Sequence, residues 1–120
     1  MANIMTVDDT ATMRQMISFT LSSVGHHVVQ ACDGEEALKL ARQKKLDLVI
    51  ADVNMPVMDG ISLIKSLRQM PEYRFTPILM LTTESQENKR QEGRVAGATG
   101  WIVKPFNPEQ LINVVNKVLG

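Results

Sequence analysis

The fold of this chain is decided by Leu48-Val49-Ile50-Ala51-Asp52, followed by Val53-Asn54-Met55-Pro56-Val57-Met58-Asp59-Gly60. Four consecutive apolar residues before an acid predict a strand that is covered on both faces, as the strands of parallel sheets are. Gly60 then begins a helical pattern with apolar residues on one face. A buried strand, a turn and an amphipathic helix together form one unit of a parallel α/β sheet.

The same unit recurs along the whole chain. Strands are predicted at 4–7, 28–31, 48–51, 78–81 and 101–103, and a helical pattern follows each of them. Right-handed crossovers and coverage of both faces favour a doubly wound sheet over a barrel, because five units are too few to close one. We therefore predict a single domain over residues 1–120. Its fold class is α/β and flavodoxin-like, with five helices around a five-stranded parallel sheet in the order 2-1-3-4-5.

Composition narrows the possible functions. The 120 residues carry 13 basic and 13 acidic side chains, so the formal net charge is zero. A neutral chain lacks the broad basic surface that binding to nucleic acid or anionic lipid requires. No stretch approaches the ~18 apolar residues of a membrane span, and the single cysteine excludes an intramolecular disulfide. We expect a cytoplasmic monomer that binds neither nucleic acid nor membrane.

Three aspartates follow neighbouring strands of the predicted sheet. Asp8 and Asp9 come directly after the first strand, and Asp52 comes directly after the third. The predicted order puts these strand ends side by side, at the crevice where ligands bind in this topology. Like charges this close raise one another's pKa, and a hard divalent cation such as Mg²⁺ relieves the repulsion. A single aspartate after a strand is more often a turn residue or a helix cap, so the inference depends on all three together.

Two further strand ends point to the same crevice. Thr82 closes the fourth predicted strand and offers a hydroxyl group, and Lys104 closes the fifth and offers an ammonium group. Phosphoryl transfer needs a nucleophile together with groups that neutralise charge on the equatorial oxygens. A carboxylate, a hydroxyl and a lysine around a cation meet that need. Each residue alone carries little weight, and the inference rests on their coming from the correct strand ends.

These residues resemble the motifs of a known family. Val7-Asp8-Asp9, the stretch 52–60, Thr82 and Lys104-Pro105-Phe106 are similar, in order and spacing, to the motifs of response-regulator receiver domains. The resemblance covers essentially the whole chain and is strongest for the stand-alone, chemotaxis-type members. It implies a stand-alone response regulator of two-component signal transduction. Such a protein is a signalling switch and not an enzyme, except in its own phosphorylation and dephosphorylation.

The resemblance also implies which residues form the site. Asp52 is the implied phospho-acceptor, and it would bind Mg²⁺ together with Asp9. Asp8 would act on the ion largely through water, and the backbone carbonyl of Asn54 would complete the protein ligands. No residue is implied for an organic cofactor. The implied phosphoryl donor is the phosphohistidine of a chemotaxis-type sensor histidine kinase.

The output implied by the resemblance is a small conformational shift. Thr82 and Lys104 would bind the phosphoryl oxygens, and the Lys104–Pro105 bond would be cis. Thr82 would move toward the phosphoryl group, and Trp101 on the fifth strand would rotate into the vacated space. The surface formed by the fourth helix, the fifth strand and the fifth helix would then bind a protein partner. A flagellar motor switch or a phosphatase is the implied kind of partner.

Two positions near the site differ from the usual family pattern. Thr83 stands where a small residue is usual, and it adds bulk beside the acceptor. Trp101 stands where Tyr or Phe is usual, and its indole N–H needs a partner if the ring is buried.

The segment 84–94 contains no Ala, Val, Ile, Leu, Met or aromatic residue. If it forms a helix, only Val95 and Ala96 can anchor its end, and little packing holds the rest. We therefore expect it to be the least stable element of the domain. A weakly held element is easily biased by a small local change, which suits the implied output surface.

Three other functions are compatible with parts of the pattern. A small phosphatase or phosphotransferase could use Asp52 as its nucleophile, but such enzymes usually carry a second acid two residues later, where this chain has Asn54. A flavin-binding module on the same fold would need hydroxyl-rich residues after the first strand, whereas Asp8 and Asp9 would repel phosphate. An inert scaffold of the same fold is disfavoured by the complete set of acids and lysine.

Overall fold

Five parallel strands with helices on both sides make up the protein, in a computed structural model that describes residues 2–55, 57–83 and 87–120. The strands are β1 (Asn3–Val7), β2 (His27–Ala31), β3 (Leu48–Asp52), β4 (Ile78–Thr83) and β5 (Gly100–Lys104). The helices are α1 (Ala11–Ser22), α2 (Gly34–Gln43), α3 (Gly60–Arg68), α4 (Glu87–Ala96) and α5 (Pro108–Leu119), with a 3-10 turn at Pro71–Tyr73. The strand order is β2-β1-β3-β4-β5, which confirms the predicted fold class and order.

The strands extend slightly beyond their apolar runs. Asp52 is the last residue of β3 and pairs with Leu81, although the sequence predicted that it would follow the strand. Thr82 is followed by one more residue of β4, and Lys104 is the last residue of β5. The ladder continues because backbone pairing does not depend on whether the side chain is apolar. The chemically active side chains are therefore held by regular strand geometry.

Both faces of the sheet are buried. Along β3, Val49 and Ala51 contribute to one apolar core, and Leu48 and Ile50 contribute to the other. The first core is closed mainly by α2 and α3, and the second by α1 and α5. Successive side chains of a strand point to opposite faces, so coverage of both faces produces the continuous apolar run in the sequence.

Side chains cap the first turns of α2, α3 and α5. The Asp33 side chain accepts a hydrogen bond from the Glu36 amide at 2.9 Å, and Asn107 forms a capping box with Gln110. Asp59 caps α3 by accepting a hydrogen bond from the Ser62 amide at 2.8 Å. These caps satisfy amide groups that the first turn of a helix leaves unpaired.

α4 packs through a glycine. Gly93 is the buried residue of this helix, and a Cβ at that position would overlap the Met80 sulfur on β4. The prediction that Val95 anchors α4 is wrong, because its side chain is 79% exposed. Val95 lies about 200° around the helix from Gly93, whereas Ala96 lies about 60° away and packs against the core. Residues 84–86, at the start of the predicted weak segment, lie outside the described part of the chain.

The C-terminal end of α4 is tied to α3 by Arg68. Its Nε donates a hydrogen bond to the Gly97 carbonyl at 3.0 Å, and its Nη1 donates to the carbonyls of Tyr73 and Thr76 at 2.7 Å each. Burial of the guanidinium lowers the pKa of Arg68. One side chain therefore holds the end of α4 and the loop before β4 together. Within the described residues, no helix has both the length and the apolar character that crossing a membrane would require.

Candidate functional site

Three carboxylates meet at the C-terminal ends of β1 and β3. These strands are neighbours, and Val7, the last residue of β1, pairs with Ala51, which lies one residue before the end of β3. Carboxylate oxygens of Asp8, Asp9 and Asp52 lie within 4.8 Å of one another. Asp8 is fully buried and Asp52 nearly so, while Asp9 is exposed. The structure thus brings together the three aspartates that the sequence selected, with Asp9 at the open side.

Hydrogen bonds fix both the backbone and the side chain of Asp8. Its amide donates a hydrogen bond to the Ala31 carbonyl at 3.1 Å, and its Oδ1 accepts one from the Thr10 amide at 2.9 Å. The Arg14 guanidinium donates to the Asp8 carbonyl at 2.6 Å. The other carboxylate oxygen, Oδ2, is buried and has no hydrogen-bond partner in the described part of the chain. One buried oxygen of the cluster is therefore open to a further ligand.

The electrostatics of the cluster favour a cation. Burial raises the pKa of Asp8, the hydrogen bond from Thr10 lowers it in part, and the charge of Asp52 raises it again. Three oxygen ligands that repel one another in a largely buried crevice are the donor set that a hard divalent ion such as Mg²⁺ requires. Asp8, Asp9 and Asp52 could therefore hold such an ion, because its charge would remove the repulsion among them.

Lys104 reaches the same pocket from β5. Its Nζ donates a hydrogen bond to Asp52 Oδ1 at 3.1 Å and lies 3.9 Å from Asp8 Oδ2. Because β4 lies between β3 and β5, the long lysine side chain must cross the end of β4 to reach Asp52. The peptide bond between Lys104 and Pro105 is cis. The ammonium group therefore brings a positive charge into direct contact with the acidic cluster.

Thr82 lies on the intervening strand, β4. It is fully buried, and its hydroxyl has no hydrogen-bond partner among the residues that the structure describes. A buried hydroxyl normally finds a partner, so this unpartnered one is available to an added ligand. Thr83, which follows it, pairs with Lys104 across the sheet and is partly exposed. Asn54 is exposed in the turn after β3.

Trp101 lies outside the carboxylate pocket, on the opposite face of β5 from Lys104. It packs against the same core as Met80, with which it pairs, and alternation puts Thr82 on that face as well. The guanidinium carbons of Arg90 and Arg94 lie 5.6 Å and 5.2 Å from the centre of its rings. Cation–π contacts of this kind attach α4 to the indole ring.

Sequence reasoning missed three arginines that contact this region. The contact of Arg14 with the Asp8 carbonyl joins α1 to the acidic turn, and nothing in the residue pattern singles out that arginine. The contacts of Arg90 and Arg94 with Trp101 were also not predicted. Their spacing of four residues places them on one side of α4, but the pattern does not say which strand that side covers.

The chain is similar to known proteins both in sequence and in structure. The sequence profile of the response regulator receiver domain matches residues 4–116. The chemotaxis response regulator CheY4 of Vibrio cholerae has a structure that is 52% identical, with a TM-score of 0.94 and 98% of both chains covered. The CheY homolog of Campylobacter jejuni is 39% identical over 119 residues, which are 98% of this chain and 92% of that protein.

A receiver domain of a Pseudomonas aeruginosa sensor histidine kinase is also similar in structure. It is 28% identical, with a TM-score of 0.91, and 99% of this chain and 98% of that chain are covered. That structure holds a magnesium ion in its active site cleft. Several curated relatives are longer than this chain, which spans 44–48% of their length at 38–39% identity.

Proposed function

The chain belongs to the response regulator receiver domain family, and on that premise we propose that it is a chemotaxis-type phosphorylation switch with Asp52 as its acceptor. One observation carries the proposal. Carboxylate oxygens of Asp8, Asp9 and Asp52 lie within 4.8 Å of one another, and the Lys104 ammonium lies 3.1 Å from Asp52. A nucleophilic carboxylate beside two further acids and a fixed positive charge suits the acceptance of a phosphoryl group.

The donor in this proposal is the phosphohistidine of a sensor histidine kinase. A carboxylate oxygen of Asp52 attacks phosphorus, a P–O bond forms, and the P–N bond to the imidazole breaks. The imidazole leaves as the neutral base, with its proton supplied by solvent. Lys104 stabilises the negative charge on the phosphoryl oxygens, and the unpartnered hydroxyl of Thr82 donates a hydrogen bond to one of them.

Mg²⁺ is the cofactor that the acidic cluster fits. Asp9 and Asp52 would hold it directly, Asp8 largely through water, and the Asn54 backbone carbonyl would complete the protein ligands. When bound, the ion neutralises the carboxylates and the phosphoryl oxygens. Two observations support this assignment. The pKa of Asp8 is raised by its burial and by the charge of Asp52, and its Oδ2 has no hydrogen-bond partner in the described chain.

The output surface of the switch is α4, β5 and α5. A shift of Thr82 toward the phosphoryl group would change the packing on the sheet face that it shares with Trp101. Because Arg90 and Arg94 contact the indole ring, movement of that ring would be transmitted to α4. Within its described residues, α4 buries only Gly93, so little packing opposes its displacement. A flagellar motor switch or a phosphatase is the kind of partner that we propose for this surface.

Trp101 fluorescence can test the proposal directly, because it is the single tryptophan of the chain. Acetyl phosphate or beryllofluoride should change the emission only when Mg²⁺ is present. Asp52→Asn should abolish the change. Asp47→Asn is the matched control, since Asp47 is exposed and precedes β3 at the opposite end of the same strand. A full response in the Asp52→Asn protein, or turnover of an added phosphate ester such as p-nitrophenyl phosphate, would contradict the proposal.

A further inference from the structure

β2 is an edge strand of the sheet, and its outer side is open. It is the first strand in the order β2-β1-β3-β4-β5, so no strand of the described chain covers that side. The His27 amide donates a hydrogen bond to the Ala2 carbonyl at 2.9 Å, which shows that the backbone groups of His27 face β1. These groups alternate in direction along a strand, so the N–H and C=O groups of Val28 and Gln30 point away from β1.

β2 lacks the usual protection of an edge strand. Exposed sheet edges in soluble proteins are commonly shielded by a charged side chain or by a proline. The strand reads His-Val-Val-Gln-Ala and contains no Lys, Arg, Asp, Glu or Pro. At its C-terminal end, the Glu36 side chain accepts a hydrogen bond from the Cys32 amide at 2.7 Å, which closes the edge beyond the strand. Val28 and Gln30 therefore each offer one N–H and one C=O group to a further strand.

The charges beside β2 are separated along its length. Asp33 and Glu36 lie at its C-terminal end, where both contact the cysteine that follows the strand. Lys44 and Lys45 lie at its N-terminal end, where they line a groove together with His27. Helix α2 joins the two ends. The open edge therefore has one acidic end and one basic end.

We propose that β2 pairs with β2 of a second copy of this chain, antiparallel and around a twofold axis at Val29. Val28 of each copy then exchanges two backbone hydrogen bonds with Gln30 of the other, and Val29 faces Val29 across the axis. Antiparallel pairing puts the acidic end of one copy against the basic end of the other. Parallel pairing would put like charges together, so charge complementarity selects both the direction of pairing and a second copy as the occupant.

The helices beside β2 leave room for this pairing. α2 on one face of the sheet and α1 on the other each contact both β2 and β1, so their axes are set back from the open edge. Because strands are about 4.8 Å apart, the two α2 helices of a dimer would lie about 10 Å apart, which is a normal distance for packed helices. α1 carries a single charged residue, Arg14, which bonds the Asp8 carbonyl, so little charge repulsion opposes the approach of the two α1 helices.

The dimer is independent of phosphorylation and goes beyond the proposed function. The sequence led us to expect a monomer, because it does not show how the charges lie along the edge of β2. β2 and β5 are the opposite edges of the sheet. Pairing through β2 therefore leaves α4, β5 and α5 of both copies exposed, and each dimer carries two of the proposed output surfaces.

Charge reversal tests the pairing without altering β2. Glu35 at the acidic end and Lys45 at the basic end are both exposed. In sedimentation equilibrium, the wild type should shift from monomer to dimer as its concentration rises. Glu35→Lys and Lys45→Glu should each raise the dissociation constant of the dimer about tenfold, because each converts two symmetry-related attractions into repulsions. An equimolar mixture of the two variants should regain the wild-type affinity, because opposite charges meet again in the mixed dimer.

Lys65→Glu is the matched control for these variants. Lys65 is exposed on α3, which lies on the other side of α2 from the open edge. The substitution changes the charge by the same amount as Lys45→Glu, and it should leave the dissociation constant unchanged.

Three further measurements locate the contact at β2. Gln30→Pro removes an N–H group that β1 does not use, so it should abolish the dimer and leave the circular dichroism spectrum unchanged. Hydrogen exchange at the Val28 and Gln30 amides should slow as the protein concentration rises. Lys39 lies at the middle of α2, where the axis brings it toward its own copy. Lys39→Gln should therefore tighten the dimer.

Three results would overturn the inference. A wild type that sediments as a monomer at every concentration leaves the edge to a different partner or to none. A variant mixture that does not recover the wild-type affinity excludes antiparallel pairing of two copies. Unchanged exchange at the Val28 and Gln30 amides places the contact elsewhere. The charge variants decide the question even if Gln30→Pro does not fold, and none of these measurements depends on phosphorylation of Asp52.

Discussion

Replacing Gly60 with alanine should destabilise the protein and slow phosphorylation of Asp52. The added methyl group would overlap the Asp52 carbonyl oxygen and would lie 2.9 Å from Val53 Cα and 3.0 Å from the Asp52 carbonyl carbon. All three are backbone atoms, so no rotation of a side chain can make room. Either the start of α3 or the end of β3 must move.

The magnitude follows from two opposing terms. Forcing an extra methyl group into a close-packed contact costs about 1–3 kcal/mol. Alanine returns at most about 1 kcal/mol of helix propensity, and less at the first position of a helix, which Gly60 occupies. The net loss should be about 1–2 kcal/mol in the free energy of unfolding. For a domain of this size, that corresponds to a decrease of roughly 4–8 °C in the unfolding midpoint.

Gly100→Ala is the matched control for this substitution. A Cβ on Gly100 would have one neighbour, Leu79 Cδ2 at 3.5 Å, which is an ordinary contact. That variant should be at least as stable as the wild type, because glycine within a strand is unfavourable. Urea and thermal unfolding followed by circular dichroism measure both variants, and acetyl phosphate measures the acceptor. If Gly60→Ala matches the wild type in both assays, the close approach of α3 to Asp52 does not govern the site.

Three further predictions concern the core, α4 and the acidic cluster. Gly93→Ala should lower the free energy of unfolding by less than Gly60→Ala, because the added methyl group meets the flexible Met80 side chain and not backbone atoms. Urea unfolding of both variants measures which loss is larger. Tyr73→Phe should lower the free energy of unfolding by about 1–1.5 kcal/mol, because the buried hydroxyl donates a hydrogen bond to the Ala41 carbonyl 2.7 Å away. An unchanged free energy in urea unfolding would contradict that hydrogen bond. Burial raises the pKa of Asp8 in the folded protein above its ordinary 3.8. Without divalent ions, the protonated Asp8 carboxyl group therefore contributes stability that is fully present below pH 3.8. That stability is lost as the pH rises through the pKa of the folded state. Measured by urea unfolding from pH 3 to 7, Asp8→Asn should gain stability relative to wild type as pH rises, and a relative loss would reverse the sign.

Much of the fold and of the acidic cluster can be predicted from the sequence. The continuous apolar run ending at Asp52 predicts a strand buried on both faces, and the caps at Asp33 and Asn107 mark where helices begin. Alternation of such units leaves few topologies open, because strands joined by helical crossovers run parallel and the crossovers are right-handed. That topology alone brings the ends of β1 and β3 together. The clustering of Asp8 and Asp9 with Asp52 was therefore predictable from local patterns and one general rule.

Tertiary structure decided the features that depend on contacts between distant segments. α4 turns Gly93 and not Val95 toward the sheet, at a position where a Cβ would overlap the Met80 side chain. Val57 has a φ of +71°, in the left-handed region, which the preference of valine would not have predicted. A sequence records which residues prefer a strand, a helix or a buried position. Close packing between distant segments sets how far a helix is rotated about its axis and which atoms it contacts.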